Sequence, residues 1–185
     1  MRIIAIIPAR GGSKRLINKN VYPLKGKPLI SYTIEACKKS SYIDEIYVSS
    51  DSDEILKIAI ECGVKVVERD KKFADDKTPK IVAVREALKQ DKIIVDGIPD
   101  IIIIPQANSP QITAEVMDKG FELLINHNLW EVMSADEKGV QNAAFRIIRT
   151  EHISNTFLSA HCGFITANII DVHSIDDILK LEKLL

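Results

Sequence analysis

Short apolar runs recur along the chain, and most are followed by a segment whose apolar residues have helical spacing. The runs are brief, rich in β-branched residues and nearly continuous, which is typical of strands covered on both faces of a parallel sheet. They comprise residues 3–7, 46–48, 64–67 and 101–104. We therefore expect buried parallel strands at these positions.

Amphipathic helices are predicted from capping residues and apolar stripes. The first four begin after Pro28, after Asp51 or Ser52, at Thr78-Pro79 and after Thr113. The last begins at the sequence Ser-Ile-Asp-Asp, residues 174–177, which has the pattern of a capping box. Its predicted buried stripe is Ile178, Leu181, Leu184 and Leu185.

The alternation of strands and helices predicts right-handed βαβ units and a doubly wound, mostly parallel sheet. This is an α/β fold of the Rossmann-like type. Residues 1–185 are expected to form a single domain, because no repeat, low-complexity tract or linker interrupts them. Residues 136–160 are the least regular part, and the runs at 130–133, 145–148 and 164–166 are candidates for further strands.

Composition and charge exclude several classes of function. Hydrophobic residues make up 46% of the chain and charged residues 28%, which is ordinary for a globular protein. The net charge is −1, so any anion site must be a local concentration of positive charge. The three cysteines form no CxxC pair, and the N-terminal apolar run is too short for a signal peptide. We therefore expect a cytoplasmic protein that binds neither nucleic acid nor membrane.

The segment that leaves the first strand concentrates positive charge. Within ten residues it carries four cations, Arg10, Lys14, Arg15 and Lys19, beside Gly11, Gly12 and Ser13. Ligands of open parallel sheets bind beyond the carboxyl ends of the strands. Glycines let backbone N–H groups approach an anion, and four cations can neutralise a polyphosphate. The spacing matches neither a Walker A loop nor GxGxxG, and the alternative is a solvated basic loop.

This segment resembles a known family. The run PARGGSKR, followed by Lys19-Asn20 and by GKPL at residues 26–29, resembles the acylneuraminate cytidylyltransferases. The resemblance continues through VSSDS at residues 48–52, Glu68-Arg69, QANSP at 106–110, Gly163 and IDV at 170–172. These enzymes make CMP-activated sialic acid and related nonulosonic acids.

The resemblance implies a set of partners and a fold. It implies CTP and an acidic sugar as substrates, Mg²⁺ as cofactor, and a glycosyltransferase-A-like nucleotidyltransferase fold. It allows a homodimer, and it implies a role in the synthesis of cell-surface polysaccharides.

The same resemblance implies roles for individual residues. The residues expected at the CTP phosphates, with catalytic roles, are Arg10, Lys14 and Lys19. Those expected to line the nucleotide site are Ala9, Gly11, Gly12, Ser13, Asn20 and Arg69, and those expected to hold the cytidine are Gln106 and Ser109.

The segment expected to build the sugar pocket is shorter here than in the family. Its obvious cations are Arg146 and Arg149, which are therefore the candidates for binding the acidic sugar. A strand would put these two arginines on opposite faces, so that both could meet one carboxylate only if the chain bends there. The alternative is that both are surface arginines.

The chain departs from the family at the expected metal site. Where the family commonly has Asp-x-Asp as its magnesium pair, this chain has Asp171 and His173. Histidine is a poor ligand for Mg²⁺, which prefers oxygen. Either Asp171 suffices with the triphosphate oxygens, or Asp176 or Asp177 contributes, or activity is weakened or lost. A second departure is Lys80, which stands where the family often has Ser or Thr beside the nucleotide.

Three hypotheses remain open from the sequence. The first is transfer of CMP from CTP to a 2-keto sugar acid. The second is another nucleotidyltransferase of the same fold that acts on a sugar or polyol phosphate. The third is a non-catalytic nucleotide-binding homologue, which would bind CTP without releasing pyrophosphate.

Overall fold

The structure is a computed structural model of the 185-residue chain and describes residues 1–75, 77–155 and 159–185. The strands are β1 (Ile3–Pro8), β2 (Pro23–Leu24), β3 (Lys27–Pro28), β4 (Glu45–Ser50), β5 (Lys65–Glu68), β6 (Ile101–Pro105), β7 (Glu131–Ala135), β8 (Gln141–Arg149) and β9 (Cys162–Thr166). The helices are α1 (Leu29–Lys39), α2 (Asp53–Glu61), α3 (Lys80–Leu88), α4 (Asp91–Ile94), α5 (Ala114–Asn126) and α6 (Ile175–Leu184). Part of the irregular segment 136–160, residues 156–158, lies outside the described residues.

One seven-stranded sheet organises the described residues, in the order β5-β4-β1-β6-β8-β7-β9. The pairs β5–β4, β4–β1, β1–β6 and β7–β9 are parallel, whereas β8 is antiparallel to both β6 and β7. The short strands β2 and β3 form a separate ribbon. The predicted α/β fold with a mostly parallel sheet is therefore confirmed.

Continuous apolar strands arise because helices cover both faces of this sheet. In β1, Ile3 and Ile7 point into one hydrophobic cluster, and Ile4 and Ile6 point into the other. The first cluster includes side chains of α1, α2 and α5, and the second includes side chains of α3 and α4. Burial of each isoleucine stabilises the fold by about 1.5–3 kcal/mol. The central strands are thus fixed on both sides.

Helix starts follow the predicted caps. Ser52 and Thr113 are the N-cap residues of α2 and α5, and the Thr113 hydroxyl accepts a hydrogen bond from the Val116 amide at 3.4 Å. Ser174 and Asp177 form the predicted capping box of α6.

The predicted inner stripe of α6 is wrong at its end. Leu184 and Leu185 are 64% and 45% exposed. The small hydrophobic cluster beneath this helix includes Ile178 and Leu181 but neither of the two terminal leucines. The last turn of α6 therefore extends beyond the hydrophobic cluster against which the rest of the helix packs.

Two further findings describe the state of the cysteines and the character of the helices. Cys37, Cys62 and Cys162 are free thiols, and burial raises the pKa of Cys37 to about 12. No helix in the described part of the chain combines the length and the apolar character that crossing a membrane requires.

The sheet directions place several loops at one edge. Parallel strands β1, β4, β5 and β6 all end at this edge, which is where open α/β sheets bind ligands. Because β8 is antiparallel, its early residue Phe145 pairs with Pro105 at the same edge, and its last residue Arg149 pairs with Ile101 at the opposite edge.

Candidate functional site

A cavity of about 240 Å³ lies at the carboxyl edge of the parallel strands. Among the described residues its wall carries five cationic side chains, Arg10, Arg15, Lys19, Arg69 and Lys80, and two carboxylates, Asp75 and Asp171. In a chain of net charge −1, this is a strong local excess of positive charge. Such a cavity fits a polyanionic ligand.

Hydrogen bonds to neighbouring elements hold the loop after β1. The Ala9 amide donates to the Ser49 carbonyl of β4 at 3.0 Å. The Gly11 amide donates to Asp51 Oδ1 at 3.0 Å, and the buried Asn20 amide group donates to the Arg10 carbonyl at 3.0 Å. The Arg10 backbone is thus fixed at the cavity wall, where its side chain also lies.

The two glycines of this loop differ in their surroundings. A Cβ on Gly11 would lie 2.9 Å from the Ser52 Cβ, so this position must stay small for the loop to pack against the start of α2. A Cβ on Gly12 would meet no heavy atom within 4 Å. Gly11 is therefore required by the packing of the loop, whereas Gly12 faces open space.

Arg69 follows β5 and is fixed by β4. Its amide donates to the Ser50 carbonyl at 2.8 Å, and its guanidinium donates to the Ser49 carbonyl at 2.5 Å and to Ser49 Oγ at 3.3 Å. Burial lowers the pKa of Arg69 to about 10, with Asp51 opposing the shift, and the group stays charged at neutral pH. The cavity thus contains a rigid cation.

The site also disfavours the charge of Lys19. Burial lowers its pKa to about 8, the nearby Lys80 lowers it further, and Asp171 opposes the shift. Burial also lowers the pKa of Lys80. A bound anion would reverse both effects, because opposite charge favours the protonated lysine.

The loop after β6 supplies fixed polar groups. The Gln106 amide donates to the Ala144 carbonyl at 2.9 Å, and the Gln106 carbonyl accepts from Thr33 Oγ1 at 2.8 Å. The side chains of Gln106 and Asn108 line the cavity. The backbone of Gln106 and the side chain of Asn108 are thus fixed, and side-chain amides at such a wall can recognise the edge of a base.

Ser109 does not have the position that the sequence predicts. It is completely buried, and its hydroxyl donates to Asp171 Oδ1. The expectation that this hydroxyl holds a cytidine is therefore corrected: it orients a carboxylate, and Asn108 lines the cavity instead. The reason is the turn at residues 106–109, where the Ser109 amide donates back to the Gln106 carbonyl at 3.4 Å.

Asp171 is the carboxylate that could hold a metal ion. Asn108 and Val172 exchange hydrogen bonds of 2.9 and 3.0 Å, which fix the segment next to the cavity. His173 also lines the cavity, and burial together with Lys19 lowers its pKa. Asp177 is not part of the described cavity wall, and its Oδ2 caps α6 by accepting from the amides of His173 and Ser174 at 2.9 Å.

The cavity wall fits a magnesium site in which one protein carboxylate acts together with phosphate oxygens and water. In the described ranges, no three His, Cys, Asp or Glu side chains form a ready-made metal cluster. Mg²⁺ bound beside nucleotides takes one or two carboxylates together with phosphate oxygens and water. The carboxylate of Asp171, at the wall of a cavity suited to phosphates, meets that minimum.

The sequence of the chain matches a known protein family over most of its length. Residues 4–152, most of the chain, match the model described as cytidylyltransferase. The chain belongs to this cytidylyltransferase family. The resemblance of the first loop is thereby confirmed at the level of the family.

Individual members of the family show similar sequences. The pseudaminic acid cytidylyltransferase of Campylobacter jejuni is 34% identical over 142 residues, which are 74% of this chain and 59% of that protein. The CMP-N,N'-diacetyllegionaminic acid synthase of Legionella pneumophila is 54% identical over 66 residues, 36% of this chain and 28% of that protein. The match to the Campylobacter protein thus spans less than two thirds of its length.

A solved structure shows the same fold. The structure of a CMP:2-keto-3-deoxy-manno-octonic acid synthetase complexed with CTP superimposes with a TM-score of 0.80 at 14% identity, over 100% of this chain and 98% of that one. This likeness supports the nucleotidyltransferase fold that the sequence predicts.

Within the cytidylyltransferase fold, half of the predicted site residues line the same cavity. Those that line the cavity are Arg10, Ser13, Lys19, Asn20, Arg69, Gln106 and Asp171. Lys14 lines a small adjoining cavity with Arg10, Ser13, Arg15, Leu16, Lys19 and His173. Ala9 is fully buried beneath the loop.

The two arginines proposed for the acidic sugar are separated by the antiparallel strand. Arg146 lies near the cavity edge of the sheet, where it lines a second cavity with Lys80 and Gln106. Arg149 lies at the opposite edge, and its guanidinium donates to the Leu129 carbonyl at 2.9 Å and to Asn128 Oδ1 at 3.1 Å. The expectation that Arg149 binds the sugar is corrected, because β8 carries it away from the site.

Part of the cavity wall lies outside the residues that the sequence predicts for the site. Phe73, Asp75 and Thr78 line the cavity from the loop between β5 and α3. The signal that could have identified them is their position after a parallel strand, since loops at the carboxyl edge share one face of the fold.

Proposed function

We propose that the protein transfers a CMP group from CTP to a 2-keto sugar acid and releases pyrophosphate. The observation that carries the proposal is the cavity with five cations and two carboxylates at the carboxyl edge of the sheet. Membership of the cytidylyltransferase family and the names of the relatives support the choice of CTP and of a nonulosonic acid.

Nucleotidyl transfer requires mainly that the protein position the two substrates and neutralise the negative charge of the phosphate oxygens. The anomeric hydroxyl oxygen attacks the α-phosphorus of CTP, the bond from this phosphorus to the β-phosphate oxygen breaks, and the hydroxyl proton is released. Arg10, Lys14 and Lys19 bind the phosphates in this proposal, because nucleotidyl transfer builds negative charge on phosphate oxygens and on the departing pyrophosphate. Ser13 and Asn20 line the same wall.

The cytidine is assigned to the wall that carries Arg69, Gln106 and Asn108. These side chains lie at the carboxyl edge, and those of Arg69 and Asn108 are fixed by hydrogen bonds. Fixed donors and acceptors lose little entropy when a base binds.

Mg²⁺ is proposed as the cofactor, with Asp171 as the protein ligand. When bound, the ion would supply charge stabilisation for the phosphate oxygens. Asp171 is oriented by the buried Ser109 hydroxyl, so its carboxylate is presented at the cavity wall.

The location and remaining partners are also proposals. A cytoplasmic location is proposed because the three cysteines are free and one is buried. Nucleic acid is not expected as a partner, since the net charge is −1 and the cation cluster is confined to a cavity.

Nucleotide preference tests the proposal directly. Calorimetric titration with CTP, UTP, ATP and GTP should give the highest affinity for CTP, because Gln106 and the fixed side-chain amide of Asn108 line the same cavity as the phosphate loop. Equal affinity for all four nucleotides would remove the cytidine assignment.

Alanine substitution tests the phosphate loop. R10A and K19A should each lower the rate of pyrophosphate release at least tenfold, because a charge-assisted contact is worth about 1.5–3 kcal/mol and about 1.4 kcal/mol is tenfold in rate. The matched control is K57A, on the exposed face of α2. Near-normal turnover of R10A and K19A, with unchanged melting temperature, would make the loop a solvated basic surface.

A further inference from the structure

A second cavity, of about 140 Å³, adjoins the nucleotide cavity. Lys80 and Gln106 line both cavities, so the two spaces meet at these side chains. The remaining wall of the second cavity includes the apolar Ile81, Ile104 and Phe145. A ligand in the second cavity would therefore lie next to a nucleotide in the first.

The charge of Arg146, the other cation of this wall, is already neutralised. Its Nε lies 2.7 Å from Glu131 Oε2, and its Nη2 donates to the same oxygen. Glu131 is only 2% exposed, and its second oxygen accepts a hydrogen bond from the Ser159 amide at 3.0 Å. An anion that approaches Arg146 would thus also be repelled by the buried carboxylate of Glu131. This repulsion weakens the attraction between the anion and the guanidinium of Arg146.

The ammonium of Lys80 is less compensated than the guanidinium of Arg146. Lys80 makes no salt bridge within ranges 1–75, 77–155 and 159–185. It is the first residue of the nine-residue helix α3, where the helix dipole adds to the local positive potential. It lines the nucleotide cavity together with Lys19 and Asp171, and its charge repels Lys19 and attracts Asp171.

We propose that Lys80 binds the carboxylate of the acceptor sugar and thereby selects an acid over a neutral sugar. The inference rests on the proposed function and assigns the acceptor side of the same site. In a 2-keto sugar acid, the carboxylate is attached to the carbon that bears the attacking hydroxyl. A carboxylate held where the two cavities meet therefore presents that hydroxyl to the nucleotide cavity.

This assignment replaces the expectation that a pair of arginines binds the acid. Arg149 lies at the other edge of the sheet, and Arg146 is paired with Glu131. Lys80 is thus the cation of the second cavity that an acceptor carboxylate can neutralise. The cavity places Phe145 and Ile104 against the rest of the sugar.

Binding of an acid and of its methyl ester tests the inference. The protein is saturated with CTP in the presence of a chelator, which prevents turnover, and titrated with N-acetylneuraminic, pseudaminic and N,N'-diacetyllegionaminic acids and their methyl esters. Wild type should bind one or more acids at least about tenfold more tightly than the ester, because a charge-assisted contact is lost with the ester. K80M should lose this preference while keeping its affinity for the ester.

The control and the contrary outcomes separate this inference from the proposed function. K89M removes an exposed lysine after the end of α3 and should keep the preference for the acid. A K80M protein that still prefers the acid, or wild type that binds CTP but none of the acids, would overturn the role of Lys80. Wild type that does not bind CTP would instead contradict the proposed function.

Discussion

Burial and the neighbouring Lys80 lower the pKa of Lys19 to about 8. The groups that act on it are Lys80, Asp171, Arg15 and Arg10. Raising the pH through about 8 therefore removes a positive charge from the phosphate site. Bound CTP should raise the pKa again, because the protonated lysine gains an opposite charge.

The pH dependence of CTP use follows from this lowered pKa. The value of kcat/KM for CTP should fall as the pH rises above about 8, and binding near that pH should take up a proton from solution. In K80M the alkaline fall should move to higher pH, because one repelling ammonium is gone. Calorimetry in buffers of different ionisation enthalpy measures the proton uptake. A profile that is flat from pH 7 to pH 9 would contradict a phosphate role for Lys19.

The metal assignment depends on the charge of Asp171. D171N keeps an oxygen that can accept from the Ser109 hydroxyl but loses the carboxylate. Turnover should fall about a hundredfold or more, since metal charge stabilisation is worth several kcal/mol, while metal-free CTP binding stays close to wild type. H173D should lower the Mg²⁺ concentration needed for half-maximal rate, because a hard cation gains an oxygen ligand.

Magnesium titrations of the rate separate this account from a purely structural role. If Asp171 only orders the entry to α6, D171N should change the melting temperature and leave the metal dependence unchanged. If the rate depends on Mg²⁺ concentration in the same way for wild type, D171N and H173D, Asp171 is not a ligand of the metal ion.

At the scale of elements, the loop after β1 depends on its contact with the start of α2. G11A introduces a Cβ at 2.9 Å from the Ser52 Cβ, so the loop must shift. We expect a cost of about 1–3 kcal/mol in the free energy of unfolding, together with weaker CTP binding. G12A is the matched control for stability, because its Cβ enters open space. Equal melting temperatures of the two variants would show that the contact with Ser52 is unimportant.

Elements with strong local patterns could be predicted from the sequence. The β-branched runs of β1 and β6 and the caps Thr113 and Ser174 carry their own signals. The short helix α4 could not be predicted, because its four residues are too few to show a period. The exposure of Leu184 could not be predicted either, because it depends on where the supporting cluster ends.

At the scale of the whole molecule, the reversed direction of β8 decides which residues share the site. Nothing local in the sequence of β8 reveals its direction, since pairing with β6 and β7 is set by distant parts of the chain. That direction brings Arg146 next to Lys80 and takes Arg149 to the other edge. The first loop, by contrast, is a local motif, and Arg10, Ser13 and Lys19, which the sequence places at the site, line the cavity.

Transfer of CMP from CTP to a sugar acid can be tested by identifying the products of the reaction. Wild type is incubated with CTP, Mg²⁺ and the panel of nonulosonic acids, and the products are measured by mass spectrometry and phosphorus NMR. We predict that a CMP–acid diester and pyrophosphate form in equal amounts, and that R10A forms little of either. CTP binding without pyrophosphate release with any acid would contradict the account, as would transfer to a sugar phosphate instead of an acid.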